Sequence, residues 1–458
     1  MSTIAAISTA PANGGIGIIR MSGKDCFEIL NKIFVPKQKQ NIEEISGYTI
    51  KYGYIIDFKT KQKIDEVLVS FFRKPKSYTT ENMCEINSHG GIIVMNKILN
   101  LCLENGAEIA EPGEFTKRAF INGRIDLSQA EAIADIINAK SQKEAEASVN
   151  QLEGFLSKEV NKIKAKVLEL LAFIEANIDY PEYDVETISN KKAKEKINEI
   201  ECDLKALEKS FDNGKIIKEG IKTVIIGKPN AGKSSLLNEL AREEKAIVTD
   251  IAGTTRDCIE EEILIEGIPF KIIDTAGIRD TDNKIEQIGI EKAKALLEKS
   301  DLIIAIFDNS KDLTEEDKKI LETIKNKKAI ILLNKIDIED KHLEEKEEIK
   351  KTNKKVIKVS LLNKQGIDEI YKELVRMFNL DEIKIDDSAI ITNTRHKVLI
   401  EKARNCAQCA KQDISGNMPL DITAINIKNI AENLGEITGD NVSEDIIKEI
   451  FSRFCLGK

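Results

Sequence analysis

The sequence predicts a multidomain chain of α/β and α class: an α+β N-terminal region, then an all-α region into which a mostly parallel α/β domain is inserted. Three observations carry this. Between about 218 and 380, apolar runs alternate with helix-like segments. On either side of that stretch, apolar residues recur at steps of three and four. Before about 118, short alternating runs are separated by glycine turns. The expected boundaries are 1–118, 119–217, 218–380 and 381–458. The second and fourth are expected to pack as one domain, because an inserted domain needs chain ends that lie close together.

In the first region, Ile4-Ala5-Ala6-Ile7 and Gly17-Ile18-Ile19-Arg20 read as strands around a turn at Asn13-Gly14-Gly15. Val67 to Phe72 and Cys84 to Asn87 are further strands, and a helix follows near Ile92 to Leu103. His89, beside two glycines, reads as structural or solvent-facing rather than catalytic. Lys117, Arg118 and Arg124 form a small basic cluster, read as a solvated helix face.

The helical region opens at Ser128-Gln129-Ala130-Glu131, a capping-box pattern. Val149, Leu152, Leu156, Val160, Ile163, Val167, Leu171 and Ile174 then make one apolar face, ending near Asp179-Tyr180-Pro181. A second face runs through Ile197, Ile200, Leu204, Leu207 and Phe211, with Asn213-Gly214 as its expected stop. After 385, Ile422 to Leu434 and Ser443 to Phe454 are again helical.

The inserted domain carries the chemistry. The apolar run Ile221 to Ile226 leads into Gly227-Lys228-Pro229-Asn230-Ala231-Gly232-Lys233-Ser234 and then the helix-like Ser235 to Leu240. That is the strand, glycine loop and helix of G-x-x-x-x-G-K-[ST], whose N–H groups converge on phosphate oxygens. Lys233 would reach the outer phosphates and Ser234 would hold Mg²⁺. A second run, Phe270 to Ile273, ends at Asp274-Thr275-Ala276-Gly277, where an Asp and a glycine N–H suit control of Mg²⁺ and sensing of the γ-phosphate. A third run, Ala329 to Leu333, ends at Asn334-Lys335-Ile336-Asp337. A carboxylate at Asp337 accepts from both the ring N–H and the exocyclic amine of guanine; adenine lacks that donor pair and would leave a charge unpaired. Ser360 and Leu361, after Lys355 to Val359, fit the last loop around the base, with Leu361 standing where Ala is expected. Leu302 to Phe307 is one more parallel strand, and the hairpin Ile263 to Phe270 supplies a single antiparallel edge.

Composition narrows the partners. Formal net charge is −9, so the overall field does not favour nucleic acid, and any RNA contact must use a local patch or a partner subunit. Eight scattered cysteines with no secretory leader read as reduced thiols in a cytoplasmic protein. Cys406 and Cys409 form a lone C-x-x-C, read as two cysteines on a helix face. No apolar run approaches a membrane span.

With these pieces in order, the chain resembles the tRNA uridine-modification GTPase family called MnmE or TrmE over nearly its full length. The resemblance rests on Gly14 to Arg20, on Ser77-Tyr78-Thr79 leading to Glu85 and His89-Gly90-Gly91, and on Pro112 to Phe120. Ile125 to Ala132 and the tail Phe454-Cys455-Leu456-Gly457-Lys458 complete it. Local departures are Thr80, Asn82 and Ser88. The resemblance implies a folate-binding-like N-terminal domain that also dimerises, and a Ras-like P-loop GTPase domain. It implies contacts from Arg20, Glu85, Arg124 and Lys458 to a 5-formyl- or methylene-tetrahydrofolate, with Cys455 beside the one-carbon unit as a catalytic thiol. It also implies a nucleotide site that includes Asn230, Ala231, Gly232, Lys233, Ser234, Ser235 and the switch segment Thr249, Asp250, Ile251, Ala252, Gly253, Thr254 and Thr255.

Thr255 is expected as the second Mg²⁺ hydroxyl. Ile278 stands where Ras-type enzymes carry a water-orienting Gln, so that task must move elsewhere, and the resemblance assigns it to Glu286. The resemblance also implies a bound K⁺, held by Asn230, Thr249, Ile251 and Thr254, in place of an arginine finger, with Arg256 and Arg279 as rival fingers. The implied partners are a second copy of the chain and an FAD-containing MnmG (GidA)-type protein in a heterotetramer, with tRNA held mainly by that partner. The rival reading is a ribosome-assembly or regulatory GTPase switch without modification chemistry. It would need a basic RNA-binding module beside the GTPase motifs, and the sequence displays none.

Overall fold

Alternation of apolar and polar residues along the first 110 positions builds a seven-stranded sheet. The computed structural model describes residues 1–179, 186–243, 260–274, 296–338, 343–383, 389–416 and 418–458. They fall into two units: Met1–Ile137 with Gln151–Lys205 and Val398–Lys458, and Asn138–Asn150 with Ala206–Lys397.

The sheet of the first unit comprises β1 (Ile4–Ile7), β2 (Gly14–Ser22), β3 (Phe34–Pro36), β4 (Thr49–Asp57), β5 (Gln62–Phe72), β6 (Met83–Gly90) and β7 (Glu108–Ile109). Its order is β3-β4-β5-β6-β2-β1-β7, antiparallel except where β1 meets β7. One face packs Ile19, Met21, Val67, Val69, Phe71 and Ile86 in a core shared with the helices Cys26–Ile33 and Ile92–Glu104. Since side chains alternate along a strand, the neighbouring residues Arg20 and Glu85 fall on the other face, directly opposite each other across β2 and β6. The glycines Gly14 and Gly15 open β2 rather than forming the turn, which lies just before them; Ser8 N–H closes it by bonding Ile18 O at 2.8 Å.

The helical segments between 127 and 179 depart from the sequence reading in three places. The helix at 127–138 is capped by Asp126, not Ser128. Asp126 Oδ1 accepts from Gln129 N at 2.9 Å, and Gln129 Oε1 accepts from Asp126 N at 3.0 Å. A carboxylate one residue before the helix outcompetes a hydroxyl already inside it, and Ser128 Oγ donates to that carboxylate at 2.8 Å and lies 2.9 Å from Ser157 Oγ. The long apolar face from Val149 is two helices, Gln142–Leu152 and Phe155–Asp179, broken at Gly154 with φ +85°. Val149 is exposed, and Leu170 rather than Leu171 is fully buried. That gives the 3-4-3-4 spacing Val160, Ile163, Val167, Leu170, Ile174 along a helix that packs on Leu420–Thr438.

In the second unit the sheet comprises β8 (Ile221–Ile226), β9 (Glu260–Ile265), β10 (Ile268–Asp274), β11 (Leu302–Asp308), β12 (Ala329–Asn334) and β13 (Lys355–Val359). Its order is β13-β12-β11-β8-β10-β9, parallel throughout except for the hairpin β9–β10. Both faces are buried: Ile225, Ile304, Ile306 and Leu332 lie in one core, and Val224, Ala305, Phe307 and Leu333 in the other. Double burial is why these strands read as unbroken apolar runs.

The expected stop at Asn213-Gly214 is not one, because the helix Glu186–Glu219 runs through it. Gly214 is there for closeness: a Cβ at that position would sit 2.0 Å from Ile391 O. Among the described residues, no helix is long and apolar enough to cross a membrane.

Candidate functional site

In a parallel sheet, ligands bind beyond the carboxyl ends of the strands, and that edge of the second unit gathers the sequence motifs. β8 ends at Ile226 and the loop 227–232 turns into the helix Lys233–Glu243. Two glycines shape the loop. A Cβ on Gly227 would lie 2.4 Å from Ile306 O; Gly232 has φ +114°, and a Cβ there would lie 2.3 Å from Asn334 Nδ2. Asn230 is left-handed too, at φ 61°. Lys233 Nζ donates back to Gly227 O at 3.0 Å and Lys228 O at 2.9 Å, which holds the ammonium over the loop. Ser234 and Ser235 are exposed in the first turn of the helix, where its N–H groups and dipole favour an anion.

The base-side motif comes to the same place. Asn334, buried at the end of β12, donates to Ala231 O at 2.8 Å and accepts from Leu361 N at 3.2 Å. One side chain therefore joins the phosphate loop to the loop after β13. Asp337 is exposed and takes Ser360 Oγ at 2.5 Å; Ser360, fully buried, also accepts Asn363 N at 3.2 Å. Leu361 packs under the site, its buried side chain in the core beside Ala231 and Ile306. Lys335, with φ 70°, bonds Asp308 at 2.7 Å. Burial pushes the Asp308 carboxyl up, but hydrogen bonds from Lys335 and Ser310 more than offset this and hold it below the ordinary carboxylate value.

Asp274 closes β10, which is separated from β12 by the two strands β11 and β8. Thr249, Asp250, Ile251, Ala252, Gly253, Thr254, Thr255, Arg256, Thr275, Ala276, Gly277, Ile278, Arg279 and Glu286 lie outside the described residues.

A second cluster stands on the open sheet face of the first unit. Arg20 meets Glu85 Oε1 through Nε at 3.0 Å and Nη2 at 2.9 Å, leaving Oε2 outside that pair. Its guanidinium lies 5.3 Å from the Tyr78 ring centroid and 5.5 Å from that of Phe115. Arg124 stacks on the same Tyr78 ring at 4.5 Å. The chain's own end forms a wall here. Gly457 O accepts from Ser8 Oγ at 2.9 Å and Arg20 Nη1 at 3.3 Å, and Lys458 O accepts from Phe115 N at 3.1 Å. Phe454 is buried, so the exposed Cys455 is pinned on both sides. Ser8 and Phe115 carry no sequence signal for this role, because one acts through a hydroxyl and the other through its backbone N–H.

Other sequence expectations sort as follows. Arg118 is not on a solvated face: it is 3% exposed, between Glu81 at 3.1 Å and Glu114 at 2.8 Å. Glu114 faces it from one turn earlier on the helix Glu114–Ile121, and Glu81 faces it because that helix packs beside the 77–82 loop, which also takes Asn122 Nδ2 at Thr79 O. His89 is exposed and pairs with Asp65 at 2.7 Å. Cys406 and Cys409 lie on the helix Thr394–Ser415 as free thiols.

Fold and site together define a P-loop nucleotide-binding protein of the guanine-nucleotide type. The family model "GTP-binding protein TrmE N-terminus" matches residues 3–124, and "MnmE helical domain" matches 127–455. Three relatives, each called "tRNA modification GTPase MnmE", align over all of this chain and 99% of their own. They are those of Alkaliphilus oremlandii at 50% identity, Acetivibrio thermocellus at 49% and Clostridioides difficile at 49%. The chain belongs to the MnmE/TrmE family.

Proposed function

We infer that this protein is a GTP hydrolase acting in tRNA modification. The observation that carries the reading is the convergence of Lys233, Asn334, Asp337 and Ser360 on one sheet edge, in a chain that matches its family from end to end. The phosphate loop suits a nucleotide–Mg²⁺ complex: Ser234 would be one Mg²⁺ ligand and Thr255 the other. Asp337 and Ser360 would select guanine. Asn230, at the outer turn of the loop, would offer its amide oxygen to K⁺, with Thr249, Ile251 and Thr254. A monovalent cation supplies positive charge beside the β/γ-phosphates, as an arginine finger does elsewhere. Glu286 would orient the attacking water.

The first-unit cluster fits a tetrahydrofolate of the 5-formyl or methylene type. Arg124, Lys458 and the outer edge of Arg20 suit its carboxylates, and Glu85 suits the donor edge of the pterin. The folate supplies one carbon, and Cys455 would stand beside it. The whole would act as a homodimer with an FAD-containing MnmG (GidA)-type partner, adding a carboxymethylaminomethyl group at C5 of the wobble uridine of certain tRNAs. It would work in the cytoplasm, with the partner supplying most of the tRNA surface; the net charge of −9 supports that division.

Nucleoside mass spectrometry of tRNA from cells lacking the protein tests the reading. Loss of the C5-substituted wobble uridine is expected, and unchanged uridines would reject the modification role. GTPase rates in KCl and NaCl test the cation, and equal rates would remove K⁺ from the site.

A further inference from the structure

A lysine inside a phosphate loop reads as one more charge for the phosphates, and Lys228 has that position in the sequence. The geometry turns it elsewhere. Lys228 Nζ lies 2.7 Å from Asp317 Oδ2 and donates to Thr314 Oγ1 at 3.0 Å. Thr314 is the N-cap of the helix Glu315–Ile324, and Asp317 is its capping-box partner. The same Asp317 Oδ2 accepts from Thr314 N at 2.9 Å and Thr314 Oγ1 at 2.8 Å. Asp317 is 4% exposed, so solvent screens this arrangement poorly. The carboxylate also sits at a helix N-terminus, whose dipole stabilises it.

We propose that Lys228 is a positioning residue of the nucleotide site, a strut that fixes the first half of the phosphate loop to the helix Glu315–Ile324. Its backbone shows what the strut holds. Lys228 O receives Lys233 Nζ, as Gly227 O also does. Pro229 follows directly and disfavours helical backbone at Lys228, while Asp317 and Thr314 hold its side chain. The connection runs from the helix cap through Asp317 to the Lys228 side chain, then to its carbonyl and the ammonium of Lys233. With its charge neutralised by Asp317, Lys228 acts on the nucleotide through loop geometry. Its removal should therefore weaken GDP and GTP alike.

The inference rests on reading this loop as a nucleotide cradle, and the experiment separates the two. Full-length wild-type, Lys228→Met, Lys228→Arg, Asp317→Asn and the Met/Asn double variant are titrated with fluorescent GDP and with a fluorescent non-hydrolysable GTP analogue. Steady-state GTP hydrolysis is measured alongside, and melting temperature monitors folding. Lys228→Met is expected to weaken both nucleotides about tenfold, to raise KM more than it lowers kcat, and to be largely restored by Lys228→Arg. Asp317→Asn is expected to match Lys228→Met, with the double variant no worse than either. If Lys228→Met does not fold, Asp317→Asn and Lys228→Arg carry the comparison. Wild-type protein that binds no nucleotide would reject the cradle. Three results would overturn the strut with the cradle standing: affinities within about twofold of wild type, additive losses in the double variant, or a loss for GTP far exceeding that for GDP.

Discussion

Replacing Asn334 with Ala should uncouple the two halves of the nucleotide site. The amide makes one bond to Ala231 O at 2.8 Å and one from Leu361 N at 3.2 Å, both buried. Each bond is worth about 1 kcal/mol net, and a buried backbone group left without a partner costs about 1–3 kcal/mol. Removing both gives about 2–6 kcal/mol, divided between stability and nucleotide affinity. Even about 1.4 kcal/mol on the binding side is tenfold in Kd. Calorimetric titration with GDP and thermal melting of the nucleotide-free protein measure the two shares. Asn334→Asp sharpens the test, because a carboxylate still accepts from Leu361 N but turns a second oxygen toward Ala231 O. Its affinity should be no better than that of Asn334→Ala. GDP binding by Asn334→Ala within about twofold of wild type, with an unchanged melt, would refute the idea that this side chain joins the loops.

Three further outcomes follow from other parts of the structure. Asp337→Asn should lose guanine nucleotides by about a hundredfold or more and gain xanthine nucleotides, whose C2 carbonyl meets an amide donor; competition binding with GDP and XDP checks this. Gly457→Ala places a Cβ 2.3 Å from Ile7 O at φ +85°, so the tail should leave its seat and 5-formyl-tetrahydrofolate binding should fall by about tenfold or more in calorimetry. The Asp65 carboxylate hydrogen-bonds His89 and raises its pKa above the ordinary 6.5. The contribution of this pair to stability is present in full below 6.5 and fades as pH rises through the folded value. A proton NMR titration should therefore show a His89 midpoint above 6.5, returning to the ordinary value in Asp65→Asn.

Much of the nucleotide domain was legible because its signals are local. The central parallel strands are apolar on both faces and run into polar motifs, so strand ends and site residues are read from the same positions, as at Ile226–Gly227 and Leu333–Asn334. Helix boundaries were less legible. Ser128 and Asp126 both satisfy a capping pattern, and Gly214 looks like a stop until Ile391 is placed beside it. Arg118 looked like a surface cation because Glu81 reaches it only once the chain has folded around it, although Glu114, one helical turn earlier, is a local partner.

The sequence by itself determined the class of nucleotide site, the parallel sheet that bears it and the family. These depend on residue type at short spacing, where backbone geometry leaves few alternatives. Only the tertiary structure decided which polar groups meet across long separations. It brought Gly457 and Lys458 onto Ser8, Arg20 and Phe115, and it set Lys228 against Asp317. A hydrogen bond is set by distance and direction in space, and residues hundreds of positions apart carry no local signal of the partner they will meet.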